Sequence, residues 1–379
     1  MTADVDWVVV GAGVVGIAVA RRLAQSGSST LLLEREAAIG TGASSRNSEV
    51  LHAGIYYPDG SLKARACVSG RQQLVDFAEA RGIPYRLTGK LIVGQGRDEL
   101  KVLTDLKRRA EANGVVNLEW LTGDQVSALE PQVHCDTALL SPSSGIIDSH
   151  QVMVHLLGDF EAAGGLLALR STVRDLVPAS RSGANVRVET DTGPILAHGV
   201  VNAAGLGAVD LYRGEPERSP MRLFPCLGHY FRYLGKPPFQ RLIYPVPEPG
   251  GLGIHATVDL SGAVRFGPDV CWQDDLEYRF DESRREQFAR SVARYFPSVD
   301  ADRLTPDYSG IRAKIVGPGD SAADFTVLGP AVPGRLGVID LLGIESPGLT
   351  SSMALADHVS TLADRWFSPR PSRTGASVP

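Results

Sequence analysis

Three glycines and one acid carry the most specific chemistry in this sequence. Val8-Val9-Val10 runs into Gly11-Ala12-Gly13-Val14-Val15-Gly16, a helix-like stretch follows, and Leu31-Leu32-Leu33 ends in Glu34 and Arg35. A strand, a G-x-G-x-x-G turn, a helix and a second strand tipped by a carboxylate together make a dinucleotide-binding unit. Gly11 permits the tight turn, Gly13 lets the backbone approach a pyrophosphate, and Gly16 lets the helix pack close to the strand. The amides of Val14 and Val15, opening the helix, then face the phosphates. Glu34 lies 18 residues beyond Gly16, where a carboxylate accepts hydrogen bonds from an adenosine ribose diol and repels a 2′-phosphate. Glycines also serve ordinary turns, so it is the flanking strands and the terminal acid that favour a dinucleotide.

The elements that must hold this turn follow in order along the chain. Residues 40–48, including Ser45, Asn47 and Ser48, are too rich in small hydroxyl side chains for a core element and read as a ligand-contacting loop. Ser61 caps a helix over 61–80 that Gly82 and Pro84 stop. A strand is predicted over 85–93 and a helix over 98–112. Thr122 and Gln125 form a capping box, and Asp148 and Gln151 offer the same arrangement before a helix ending at Gly164-Gly165. Residues 166–201 read as several short strands. The last of them runs into Ala203-Ala204-Gly205, small residues that let a strand end approach a cofactor closely. Residues 206–213 read as helical.

From 221 to about 275 the pattern is alternating and aromatic, which predicts an antiparallel sheet. Helices over 282–295 and 351–366 complete the chain. The fold class is α/β: a Rossmann-like dinucleotide domain rebuilt from residues 1–85, 145–215 and 305–367, with an inserted α+β substrate domain from 86–144 and 216–304. Residues 368–379, rich in Ser, Pro and Arg, predict a disordered tail.

The chain has 379 residues, room for two domains of ordinary size. A net charge of -5 offers no basic footprint, so nucleic acid is not an expected partner, and an acidic substrate needs local arginines or lysines. Cys67, Cys135, Cys226 and Cys271 form no C-x-x-C, which argues against a zinc site and for buried thiols in a reducing compartment. Asp4 and Asp6 stand where a leader would be basic, and no stretch reaches the roughly 20 apolar residues that span a bilayer. The expectation is a cytoplasmic protein, with peripheral contact at the inner membrane left open.

Only one G-x-G-x-x-G lies between a strand and a helix; Gly94-Gln95-Gly96 and Gly205-Leu206-Gly207 lack the third glycine. One such site fits FAD with direct substrate oxidation, or NAD alone. A further set of motifs bears on that choice. It comprises Ser45-Arg46-Asn47-Ser48-Glu49-Val50-Leu51-His52-Ala53-Gly54-Ile55-Tyr56-Tyr57, Ser61-Leu62-Lys63-Ala64, Gly89-Lys90-Leu91-Ile92-Val93, Ile243-Tyr244-Pro245-Val246-Pro247, Gly253-Ile254-His255, Gly310-Ile311-Arg312-Ala313 and Ser346-Pro347-Gly348-Leu349-Thr350-Ser351. In these the chain resembles the L-2-hydroxyglutarate dehydrogenase/oxidase branch of the D-amino-acid-oxidase-like flavoproteins, in order from residue 7 to about 367.

The resemblance implies a glutathione-reductase-like FAD domain of the D-amino-acid-oxidase type and oxidation of a small 2-hydroxy acid to the 2-oxo acid. Electrons would pass on to a quinone-type acceptor, an electron-transfer protein or oxygen. Relatives commonly read His-Asn-Ser-Gly where this chain has Arg46-Asn47-Ser48-Glu49, so a basic and an acidic side chain fall close to the expected flavin face.

Oxidising a C2 alcohol requires a group that takes the hydroxyl proton, and neutral imidazole suits that task near working pH. His52 and His255 lie in segments that the resemblance turns toward the flavin; each reads equally well as a satisfied structural histidine. Arg312, flanked by Gly310-Ile311 and Ala313, is the candidate for the substrate carboxylate, which a guanidinium meets bidentately. A five-carbon diacid needs a second cation, for which Lys314, Lys63 and Arg46 are candidates. Tyr56, Tyr57 and Tyr244 either line the cavity or pack in the core. Gly348, Leu349, Thr350 and Ser351 open the last helix, whose amides can stabilise negative charge on a reduced flavin, and Val173 offers a backbone contact to adenine as in relatives. The alternatives are amine or amino acid oxidation of the glycine oxidase type through the same arginine, glycerol 3-phosphate oxidation, and a non-catalytic FAD-binding protein.

Overall fold

The computed structural model describes residues 2–212, 221–247 and 253–367. The predicted tail at 368–379 and the boundary near 215 lie outside them.

The β-branched run that precedes the glycine turn forms the strand Val5–Val10, whose last four residues are buried. It is the centre of an eight-stranded sheet. Thr30–Leu33 and Gly193–Asn202 flank it in parallel, Leu166–Ala168 extends one side, and Val338–Leu342 pairs in parallel with the end of Gly193–Asn202. Burial on both faces explains the unbroken apolar sequence of these strands. The helices Val14–Gln25, Leu62–Arg81, Ser149–Ala162 and Gly348–Phe367 cover one face. Their Ile17, Leu74, Leu156 and Val359 bury with Val9, Leu32, Val201 and Ile339 of the sheet, each such side chain contributing about 1.5–3 kcal/mol. At the turn, Gly11 has φ +100°, and a Cβ on Gly16 would fall 1.9 Å from the Gly11 carbonyl oxygen. The close approach at Gly16 is therefore of the helix to the turn itself.

A second, nine-stranded sheet contains Lys90–Gly94, Phe224–Tyr233, Leu242–Pro245 and Leu304–Lys314. The expected antiparallel pattern has one exception: Leu242–Pro245 runs parallel to Lys90–Gly94. These strands are far apart in the chain, so no hairpin imposes the antiparallel sense. Leu304–Lys314 pairs with Phe224–Tyr233 along its length. Residues 305–314, expected with the dinucleotide domain, thus lie in the second, nine-stranded sheet.

Smaller differences have local causes. The strand expected over 85–93 divides into Tyr85–Arg86 and Lys90–Gly94 at Gly89, where φ is +75°. Of the segment expected as a helix over 206–213, the described residues, up to 212, hold the 3₁₀ turn Gly205–Gly207 and the short helix Ala208–Leu211. The last helix begins at Gly348, three residues before its expected start. Among the described residues no helix is long and apolar enough to cross a membrane.

Candidate active site

One cavity of about 1200 Å³ joins the glycine turn to the nine-stranded sheet. Its dinucleotide end is lined by Gly11, Gly13, Val14, Val15, Gly16, Glu34, Arg35, Asn47, Ser48, Val173, Ala204, Gly205, Gly348 and Leu349. Glu34 is fixed at the strand tip: Oε2 accepts from the Ala12 amide at 2.8 Å and Oε1 from the Glu36 amide at 3.0 Å. Each oxygen keeps acceptor capacity for a diol. Asn47 braces its loop, donating to the Ser44 carbonyl at 2.6 Å and accepting from the Glu49 amide at 2.7 Å.

Three expected residues do not line the cavity. Ser45 is exposed at the end of the turn Ala43–Ser45, and its neighbour Ser44 faces inward instead, accepting from the Val14 amide at 3.0 Å. Thr350 and Ser351 are buried inside the last helix. Thr350 has a different use: Oγ1 accepts from the His52 amide and donates to the Val50 carbonyl, both at 3.1 Å, which ties the helix start to the His52 strand.

At the other end the cavity wall brings together His52, His255, Arg312, Tyr57, Tyr244 and Lys314. The Arg312 guanidinium lies against Gly228, where a Cβ would meet its nitrogens at 3.1 and 3.2 Å. Its Nη2 donates to the Asp269 carbonyl at 2.8 Å and Nη1 to Cys226 Sγ at 3.4 Å. Burial opposes the charge of Arg312, but Cys226, Tyr230 and Glu345 favour it and prevail. Gly310, two residues earlier on the same strand face, lies under the Arg46 backbone: a Cβ there would fall 2.4 Å from the Arg46 carbonyl oxygen. The Arg46 side chain covers the Tyr278 ring at 4.0 Å and donates to the Ser309 carbonyl at 3.2 Å; its Nε is buried with no hydrogen-bond partner among the described residues.

Lys314 and Lys63 are less free than the sequence suggests. Both pair with Glu345 at 3.1 Å. Burial raises the proton affinity of Glu345, but the two lysines outweigh it and hold the carboxyl below its usual range. Lys314 is therefore tied to a carboxylate that it shares with Lys63, and Glu345 lies too far along the chain from Lys63 for sequence to have warned of it.

His255 stacks on Tyr244 with centroids 3.5 Å apart, and His52 Nε2 lies 3.3 Å from Ser346 Oγ. Burial first, then the nearby Lys90 and His255, hold His52 well below the usual imidazole range, so it is neutral at pH 7. Burial, with small contributions from neighbouring groups, pushes the Tyr56 and Tyr57 phenols well up.

The chain matches the FAD dependent oxidoreductase family, DAO, over residues 6–362. It belongs to this family. The mitochondrial L-2-hydroxyglutarate dehydrogenase of Arabidopsis thaliana is 41% identical to it over 94% of this chain and 83% of the relative. The L-2-hydroxyglutarate dehydrogenase of Salmonella houtenae is 30% identical over 93% and 92% of the two chains. Among solved structures, L-alpha-glycerophosphate oxidase from Mycoplasma pneumoniae with FAD bound superposes with a TM-score of 0.84 at 23% identity, covering 96% of this chain and 95% of that one; this likeness concerns the fold. FAD, not NAD, is the dinucleotide of this DAO family member, and a cavity larger than the roughly 300–1,000 Å³ of single-ligand sites suits a cofactor with a substrate beside it.

The cavity and the strands behind it also hold residues that sequence reading missed. Tyr230 lines the cavity, its hydroxyl 2.8 Å from Ser48 Oγ, and its ring stacks on Tyr308 at 4.5 Å. On the opposite face of that strand, His229 is buried against Asp269. The alternation of strand residues predicts this division once the strand is known. Lys90, 1% exposed, carried a warning in sequence as a charge opening an otherwise apolar run.

Proposed function

We propose that this flavoprotein oxidises L-2-hydroxyglutarate, or a close 2-hydroxy diacid, to the 2-oxo acid. The observation that carries the reading is the half-buried Arg312 in the same cavity as the imidazoles of His52 and His255; the kinship with two L-2-hydroxyglutarate dehydrogenases supports the substrate. Bound FAD supplies the hydride acceptor. Arg312 pairs with the C1 carboxylate and so fixes the C2 hydroxyl relative to the histidines. His52 or His255, neutral, takes the hydroxyl proton; the O–H pair becomes the second bond of the new carbonyl as the C2 hydrogen departs with its own electrons. Tyr56, Tyr57 and Tyr244 exclude water from this step. Arg46, whose Nε has no partner among the described residues, meets the distal carboxylate in preference to Lys63 or Lys314, which are held by Glu345.

On the cofactor side, Glu34 takes the ribose diol, the turn with Val14 and Val15 the pyrophosphate, and Val173 the adenine. The backbone of Gly348 and Leu349 opens the last helix toward the cavity, where its polarity suits the negative charge of a reduced flavin. The division of labour follows the two sheets: a dinucleotide domain, and a substrate domain that includes 305–314. Electrons then pass to a quinone, an electron-transfer protein or oxygen, in the cytoplasm or at the surface of the inner membrane.

Anaerobic mixing with L-2-hydroxyglutarate, its D enantiomer, glycerol 3-phosphate and amino acids, each alone, tests the reading. Rapid bleaching of the visible flavin band by the L-hydroxy acid is expected. Bleaching by amino acids only, with ammonia released, or by none of the panel would overturn it.

A further inference from the structure

Lys90 opens the strand Lys90–Gly94 and is 1% exposed, yet among the described residues its ammonium has no hydrogen bond and no ion pair. What it meets is aromatic. Nζ lies 4.0 Å from the centroid of the Tyr244 ring and 5.6 Å from that of Tyr56. His255 stacks on the same Tyr244 ring with centroids 3.5 Å apart and planes 14° from parallel. A ring face covered by an imidazole at that distance has no room for an ammonium 4.0 Å from the same centroid, so Lys90 and His255 lie on opposite faces of Tyr244. Cation–π contact offsets part of the cost of burying the charge. A methionine of similar length would fill the same aromatic box without that cost, since an apolar replacement of a buried charge is often neutral or stabilising. Packing alone does not account for a lysine here.

We propose that Lys90 is a positioning residue for proton abstraction: from behind Tyr244, its charge biases His255 and His52 toward the neutral imidazole that can accept the substrate's hydroxyl proton. The inference rests on the reading of these two histidines as the proton acceptors.

Arg312 and Lys314 share the cavity wall with the two rings, but beside burial it is Lys90 and His255 that act on His52. From the helix Leu62–Arg81 comes the Cys67 thiol, which donates to the His52 carbonyl at 3.5 Å, with Arg71 acting on that thiol from the same helix. Tyr56 and Tyr57 follow His52 in the chain, Tyr244 comes from the neighbouring strand, and Ser346 contributes the hydroxyl near His52 Nε2. Burial pushes the Cys67 thiol up to about 12 and raises the three phenols, so all are uncharged at neutral pH. Burial also lowers Lys90 to about 7. Its charge is then present on the acid side of neutrality, where an imidazole would otherwise take up a proton, and absent at higher pH, where the rings are neutral without help.

The test uses FAD-loaded protein labelled with ¹³C at histidine Cε1, with the His52 and His255 signals assigned through His52→Asn and His255→Asn. Titration by NMR needs no substrate, so it stands apart from the bleaching experiment: either can fail without the other. In Lys90→Met the midpoint of at least one of the two rings is expected to rise by about one pH unit, the size of shift a nearby like charge imposes, while Lys90→Arg keeps the wild-type midpoints. The acid limb of the flavin-reduction rate should move up with it. Unchanged midpoints in a Lys90→Met protein that keeps its flavin spectrum would overturn the proposal. So would loss of flavin and fold in both Lys90→Met and Lys90→Gln with retention in Lys90→Arg, which would make the amine structural.

Discussion

The Arg312 guanidinium donates to the backbone carbonyl of Asp269 at 2.8 Å, and the Asp269 carboxylate is itself held by three donors: the His229 amide at 2.7 Å, His229 Nδ1 at 3.0 Å and Arg284 at 2.7 Å. The cation assigned to the substrate carboxylate thus rests on a loop that a buried ion pair fixes. Lysine in its place keeps the charge but loses the planar fork. Arg312→Lys is expected to raise the KM for the hydroxy acid about 10- to 100-fold, the worth of one charge-assisted contact, with a smaller fall in kcat. A KM within twofold of wild type in steady-state assays would remove Arg312 from the binding role.

Asp269→Asn probes the support rather than the contact. It leaves Arg284 without its buried partner, so a loss of stability of about 2 kcal/mol is expected, below the roughly 3–5 kcal/mol of a fully buried pair because Arg284 is partly exposed. KM should rise several-fold as the carbonyl under Arg312 loosens. Burial raises the proton affinity of Asp269, but His229 and Arg284 more than reverse this and depress it below 3.8. Its contribution is therefore complete above that value and lost as pH falls through the folded-state value. Thermal unfolding of the two proteins should converge as the pH is taken below 3.8.

The proposed reaction needs His52 or His255 to take the hydroxyl proton, and asparagine removes the basic nitrogen while keeping a polar side chain. The ring that takes the proton should lose about 100-fold or more in the rate of flavin reduction, the usual worth of general base catalysis, and its neighbour considerably less. Stopped-flow traces of both variants at saturating substrate measure this directly. Wild-type rates in both would place the acceptor elsewhere.

Arg46 offers a test of diacid recognition. If its guanidinium meets the distal carboxylate, Arg46→Ala should raise the KM for the five-carbon diacid about tenfold or more and leave that of a 2-hydroxy monoacid nearly unchanged. Equal losses on both substrates would mean that Arg46 shapes the loop through Ser309 and Tyr278 and does not touch the acid.

What the sequence made legible was local chemistry. The glycine turn and Glu34 fall within one βαβ unit, and Arg312 was marked by apolar neighbours on its own strand. Relations across the chain were not legible. Lys63 and Lys314 read as free cations because Glu345, 282 residues from Lys63, is brought to them only by the fold. The sheet that 305–314 joins was hidden for the same reason, since its ladder partner at Phe224–Tyr233 is distant in sequence. Ser45 was preferred to Ser44 because composition does not reveal the phase of a 3₁₀ turn. The parallel pairing of Lys90–Gly94 with Leu242–Pro245 was equally hidden, and that pairing is what brings Lys90 beside Tyr244.

The buried lysine also predicts an unusual dependence of stability on pH. In the unfolded chain Lys90 keeps its proton up to about 10.5, but in the fold only up to about 7. Between those values unfolding takes up a proton, so this residue makes the wild type more stable as pH rises. Lys90→Met abolishes the dependence. The variant should melt a few degrees above wild type at pH 6, where the charge is fully present in the fold, and its advantage should shrink steadily between pH 7 and pH 10. A Tm difference of the same size at both ends of this range would mean that methionine acts through packing alone, and that the charge at position 90 carries no cost for a catalytic use to explain.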